Sequence, residues 1–156
     1  EDYVAVDARE VSIAGGGPLE KSANRSYKGR KEFTYNRDDM VTVQETAKAM
    51  EGRPVIVAVL AERPFVPSEI EPSASAMLLS FGVSNQAILD IICGSAEPYG
   101  LLPAQLPANM RTVELQHEDT PFDMECYVDA AGNTYDFAFG LNWSGVIDDA
   151  RVRKYR

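Results

Sequence analysis

One histidine, one tryptophan and two cysteines among 156 residues leave little material for several kinds of chemistry. His117 stands in the polar string "QHED", and no serine lies in a G-x-S-x-G elbow. A serine-type hydrolase needs nucleophile, base and oxyanion site together, so this class is excluded and His117 reads as a surface histidine. Cys93 and Cys126 are far apart, without CxxC spacing, and with one histidine they cannot close a zinc site. No metal and no cofactor is expected. Cys93 lies in an apolar helical run, where a free thiol behaves as a small hydrophobe.

Positive charge is also scarce. Fifteen Lys and Arg stand against 24 Asp and Glu, for a net charge of −9. Nucleic-acid binding needs cations set against phosphates and is excluded. The one basic cluster, Arg25, Lys28, Arg30 and Lys31, is interleaved with Tyr27, Phe33 and Tyr35. Against the total charge it reads as a solvated loop. No run reaches the ~20 apolar residues of a membrane helix, so no membrane span is expected in this chain. The opening "EDYVAVDARE" lacks the basic start and apolar core of a secretion signal. It begins on an acidic residue without Met, as expected of a fragment.

What is present has the size and apolar share of a single domain: 45% of the residues are hydrophobic and 25% charged. "YVAVDA" (3–8) has the apolar run of a buried strand. "GGG" at 15–17 opens a long polar stretch that reaches Asn36, a length usually functional or mobile. "GGGPLE" lacks the G-x-G-x-x-G spacing of a phosphate loop, and Pro18 removes an amide such a loop would use. A helix follows, capped by Asn36, favoured by Asp38 and Asp39, with Met40, Val43, Ala47 and Met50 on one face. Gly52 and Pro54 stop it.

"PVIVAVL" (54–60) and "SAMLLSF" (75–81) are apolar on both faces, as strands covered by helices should be. Ser84 caps a second helix that buries Ile88, Leu89, Ile91 and Ile92 and ends at Gly94. The expected fold class is therefore α/β, a mostly parallel sheet covered by helices, with an irregular C-terminal arm. The arm, from Pro98 onward, shows no helix-length period. In "YDFAFGLNWSG" (135–145), alternation would set Tyr135, Phe137 and Phe139 on one face. Within the arm, "EPYGLLPAQLP" (97–107) places Pro103 and Pro107 among leucines. Two residues without amide donors do not fit a central strand. The stretch reads as a stiff edge strap reaching its partner through Leu101, Leu102 and Leu106.

Carboxylates remain for chemistry. Glu10, Glu20 and Glu32 lie in or beside the loop after the first strand, where α/β sheets meet ligands. An acid there can serve as a general acid if burial raises its pKa.

"AILDIICGSAEPYGLLPAQLP" (87–107) resembles the segment of glycoside hydrolase family 3 that runs from a helix into G…P-x-G-x-L-P-x-x-x-P. "YDFAFGLNWSG" resembles that family's Y-P-F-G-x-G-L-S-Y stretch, and "GRPVIVAVLAERPFV" (52–66) the strand and turn that precede both. Order and spacing agree across 2–146. The resemblance implies the C-terminal α/β sandwich domain of a retaining β-glycosidase, residues 1–146, with 147–156 as tail or linker. It implies an N-terminal barrel domain as partner, carrying an aspartate nucleophile, and a β-linked oligosaccharide or glycoside as substrate. Export, to the periplasm or outside the cell, is implied as well. This chain then lacks the nucleophile and hydrolyses nothing alone. The family's acid/base is often a glutamate just before a G-D-x-x-L-x-L stretch, whose counterpart is "GRKEFTY" (29–35). Ser26, Tyr27 and Lys28 precede it, so Glu20 upstream and Glu32 downstream are the candidates. Asp136 replaces the family's Pro and Ala138 a Gly. The alternative is a stand-alone carbohydrate-binding or interaction module that uses Trp143 and the tyrosines as stacking platforms.

Overall fold

A computed structural model describes residues 3–7, 28–29, 31–32, 37–117 and 120–155. Strand β1 is Tyr3–Val4 and pairs antiparallel with β2, Lys31–Glu32. The Gly29 amide donates to the Ala5 carbonyl and closes this ribbon, with Ala5 fully buried. The expected buried parallel strand over 3–8 is thus corrected: Val4 and Val6 are exposed, and the strand stops after two residues.

Helix α1, Arg37–Ala49, follows the sequence closely. Met40, Val43, Ala47 and Met50 are the partly buried face, and Gly52 takes a φ of 85° where the chain leaves the helix. Its Gln44 side chain donates to the Glu69 carbonyl at 3.0 Å, fixing the helix to the connection beyond the next strand.

Strands β3, Ile56–Leu60, and β4, Ala76–Ser80, pair parallel with Ile56 opposite Ala76 and Leu60 opposite Ser80. Two short 3-10 turns, Pro67–Glu69 and Glu71–Ser73, lie in the crossover between them. Alternation puts Val57, Val59, Met77 and Leu79 on one face of this sheet. Met77 and Leu79 pack there against a core of Leu106, Tyr135 and Phe139, joined by Phe65, Leu102 and Tyr127. The opposite face carries Ile56 and Leu60, which are 45% and 73% exposed.

Helix α2, Asn85–Ile92, starts where expected, with the Ser84 hydroxyl accepting the Ala87 amide at 3.3 Å. Gly94 ends it with a φ of 75°. Leu89 and Ile92, expected inside, are exposed. The α/β character therefore stands in a small and irregular form: a two-stranded parallel sheet with helices beside it. The cover over its closed face comes from the aromatic arm, whose Leu106, Tyr135 and Phe139 pack against Met77 and Leu79.

The arm contains α3, Met110–Leu115, the hairpin of β5, Leu141–Asn142, with β6, Gly145–Val146, and α4, Ala150–Tyr155. Six-residue helices span under two turns, too short to print a readable period in sequence. The strap makes backbone bonds as well as side-chain contacts. Leu102 exchanges both its amide and carbonyl with 138–139, and Leu106 donates to Tyr135 and accepts from Tyr127. Pro103 and Pro107 follow directly after these two paired residues, so neither proline is asked for the donor it lacks. Ala138 sits at a φ of 64°, which breaks the alternation. Tyr135 and Phe139 stay together, their centroids 5.2 Å apart, while Phe137 turns away to meet Phe122 edge-on at 6.2 Å.

At Gly140 a Cβ would overlap the carbonyl oxygen of Gly100 and approach Leu101 Cδ2 to 3.0 Å. The neighbour is backbone that the strap cannot move. Gly140→Ala should therefore lower stability by about 1–3 kcal/mol, read as a shift in the urea midpoint at unchanged slope.

Candidate functional site

Of the two acid/base candidates, Glu20 lies outside the described residues. Glu32 lies in β2, in register with Tyr3. The carboxylates whose surroundings are defined fall into three settings.

The first is the junction of the N-terminal ribbon with α3. Asn109 caps this helix, its Oδ1 accepting the Thr112 amide at 3.0 Å. Glu114, in the same helix, is 4% exposed, and its Oε2 accepts the Asp7 amide at 3.0 Å. Its Oε1 has no hydrogen-bond partner among the described residues. Asp7 in turn pairs with the Arg111 guanidinium at 3.3 Å. The chain enters the stretch that carries Glu10 and Glu20 from this anchor.

The second setting is Glu71, in the crossover. Tyr127 donates to its Oε2 at 2.7 Å and Tyr135 to its Oε1 at 3.5 Å. The two rings meet edge-on with centroids 5.3 Å apart. Burial and then the Glu71 carboxylate push the Tyr127 hydroxyl up to about 12, and burial and the same carboxylate raise Tyr135 as well. Both tyrosines stay protonated donors, and Glu71 acts as the acceptor that ties crossover to arm.

The third is the surface where the strap meets the β5–β6 hairpin. The Trp143 amide donates to Glu97 Oε1 at 3.3 Å. Arg151 lies 3.7 Å over the Tyr99 ring, donates to the Tyr99 carbonyl at 2.9 Å and grips Asp149 with Nη2 at 2.7 Å. Hydrogen bonds from Arg151 hold the Asp149 carboxyl below its ordinary value. Ile147 and Val152 are buried beneath this contact. Trp143 itself is 63% exposed.

His117 is exposed, as expected, and its Nδ1 lies 3.2 Å from Asp123 Oδ2. Cys126 is held as an inert thiol: burial first, then the charge of Asp136, pushes it up to about 11. Gln105 bridges the two, donating to Asp136 Oδ1 at 2.8 Å and to the Cys126 sulfur at 3.2 Å. Among the described residues no group of three or more His, Cys, Asp or Glu is placed to hold a metal ion. An open cleft of about 580 Å³ lies between α1, the start of β3 and the crossover, lined by Gln44, Lys48, Arg53, Ser73 and Ser75. Sequence reasoning gave no weight to Glu71, Glu97 or Glu114. Their partners are 46 to 107 residues away in the chain, and no local pattern announces such a pairing.

Asp129 closes the 127–135 hairpin by accepting the amides of Ala131 and Asn133 at 2.9 and 2.8 Å and the Asn133 side chain at 2.8 Å. Desolvation works to raise its pKa, but these hydrogen bonds win and lower it. A folded value below the unfolded one contributes stability that is present above the unfolded pKa and lost as pH falls through the folded one. Asp129→Asn should therefore flatten the acid limb of stability measured by urea midpoints from about pH 6 down to about pH 2. A variant as acid-sensitive as the parent chain would remove Asp129 from this role.

Comparison with known proteins gives a consistent set of relatives. β-Glucosidase C of Emericella nidulans is 43% identical over 79 residues, covering 51% of this chain and 13% of the relative. The probable β-glucosidase C of Aspergillus oryzae is 39% identical over 98 residues, covering 63% and 14%. The periplasmic β-glucosidase/β-xylosidase of Dickeya chrysanthemi is 29% identical over 118 residues, covering 76% and 17%. No family model matches the chain. No solved structure matches it significantly. The chain thus spans less than a fifth of the length of these relatives, and what it is similar to is one short part of each of these β-glucosidases.

Proposed function

We propose that the chain is the C-terminal α/β sandwich domain of a retaining β-glycosidase that cleaves O-glycosidic bonds of β-glucosides or related sugars. The observation that carries this reading is the set of matches: each relative named above is a β-glucosidase, and each is several times longer than the aligned part. Retention requires two carboxyl groups about 5 Å apart, one attacking the anomeric carbon and one protonating the leaving oxygen. In this reading an N-terminal barrel of the same protein supplies the aspartate nucleophile. The present domain lends the proton donor, with Glu20 as first candidate and Glu32, in β2, as second.

In this reading residues 1–146 make up the domain and 147–156 a tail or linker; Ile147 and Val152 are buried, and Arg151 donates to the Tyr99 carbonyl. An exported protein, periplasmic or secreted, fits the name of the Dickeya relative. No helix among the described residues is long and apolar enough to cross a membrane. The exposed apolar side chains of Ile56, Leu60, Phe81, Val83, Leu89 and Ile92 suit a domain built to pack against more of its own protein.

Two measurements test the reading. Glu20→Gln in the full-length protein should slow hydrolysis of substrates with poor leaving groups by about 100-fold or more, with azide restoring turnover of activated ones. Unchanged rates would move the role to Glu32. Expressed alone, the 156-residue chain should release nothing from aryl β-glucosides, bind a hydrophobic dye and self-associate in sedimentation. A monomer that melts cooperatively without dye binding would contradict the open surface.

A further inference from the structure

The single tryptophan of the chain is placed in a way that core packing does not require. Trp143 and Ser144 form the tip of the β5–β6 hairpin. The turn is locked from three sides. Ser144 donates its amide to Asn142 Oδ1 at 2.9 Å, Trp143 donates its own to Glu97 at 3.3 Å, and Gly145 takes a φ of 114° that lets the strand return. The backbone is therefore ordered while the indole remains 63% exposed. Most tryptophans are largely buried, because their area is the costliest to leave in water. A rigid mount for an exposed ring is the arrangement that lowers the ordering cost of a contact made on the ring face.

We propose that Trp143 is the stacking platform of a surface carbohydrate subsite, with Glu97 as its hydroxyl acceptor. The ligand class rests on the glycosidase reading above, and three features of the surface support it. The indole face carries the negative side of its quadrupole, and the polarised C–H groups on one side of a β-linked pyranose carry partial positive charge. At the hairpin tip the Trp143 backbone is tied to a carboxylate, Glu97, a group able to accept from sugar hydroxyls, and Trp143 is flanked in the chain by two neutral polar residues, Asn142 and Ser144. The chain's net charge of −9 disfavours an anionic ligand, while a neutral, hydroxyl-rich one pays no such repulsion. Tyr99, 64% exposed with Arg151 over its ring, lies two residues from Glu97 in the chain. The acid/base loop is not needed for this contact, so the subsite holds a sugar unit without taking part in its cleavage.

Because the chain has one tryptophan, its emission reports this position alone. Titrating the folded chain at sub-micromolar concentration with a β-1,4-linked glucose tetrasaccharide should shift the emission saturably, and maltotetraose should do so less. Trp143→Ala, followed by calorimetry, should weaken binding by about tenfold or more, while Trp143→Tyr keeps a ring and retains most of it. Glu97→Gln should weaken it severalfold. A parallel assay in the full-length glycosidase covers the case of self-association: Trp143→Ala should lose retention on insoluble β-glucan while keeping hydrolysis of a small aryl glucoside. Unchanged emission together with unchanged retention in Trp143→Ala would overturn the subsite and mark the ring as a protein contact. A full-length protein that binds glucan through Trp143 but cleaves no glycoside would instead sink the glycosidase reading.

Discussion

The structure depends on a backbone exchange between the strap and the arm. Leu102 gives its amide to Phe139 at 2.7 Å and takes the Ala138 amide at 2.9 Å. Four residues on, Leu106 repeats the exchange with Tyr135 at 3.0 Å and Tyr127 at 2.9 Å. Leu106 is 2% exposed, so both of its peptide groups would be costly if unpaired. This constraint sets where the prolines can stand. It also brings the 125–127 segment and the 135–139 segment onto the same strip of chain. The core of Leu106, Tyr135 and Phe139 follows from the pairing, since each of these residues is one that the strap holds.

Glu71 extends that constraint to the sheet. Without a hydroxyl acceptor, two tyrosines in the core would bury unpaired donors, each costing about 1–3 kcal/mol. With Glu71 beneath them, the polar ends of Tyr127 and Tyr135 become a tie between the β3–β4 crossover and the arm. Phenylalanine at both positions would fill the same space and lose that tie. The cluster therefore fixes the arm's position over Met77 and Leu79, which apolar contact alone leaves free to slide.

Local signals in the sequence were read well where the physics is local. The α1 face of Met40, Val43, Ala47 and Met50, the Ser84 cap and the Gly94 stop all depend on residues within a turn or two of one another. The parallel pair β3–β4 was legible from its two apolar runs. Burial was misread at Leu60, Leu89 and Ile92, because hydrophobicity declares a wish to be covered and not what covers it. The three-ring face was misread at Phe137 and Ala138, where a turn closed by the Phe139 amide on the Asp136 carbonyl, with Ala138 at positive φ, takes Phe137 out of the alternation. Of the site, the candidate acids were named from a motif's neighbourhood. Glu71, Glu97 and Glu114 had no such cue, their roles being set by partners that folding alone brings near.

The same distinction separates the closed face of the sheet from its open one. Side chains that the arm covers are satisfied within the chain, and their contacts are dense in rings, hydrogen bonds and stiff prolines. The face with Ile56 and Leu60 has apolar residues and no comparable partner among the described residues. At roughly 25 cal/mol per Å², leaving such residues in water forfeits the main favourable term of folding. A second part of the protein laid on that face would recover it, and at the same time would fix the orientation of the ribbon, α3 and the Asp7–Glu114 anchor relative to itself. Under the glycosidase reading proposed above, docking energy and the placement of a proton donor would then be one requirement, because both depend on how this face seats against its partner.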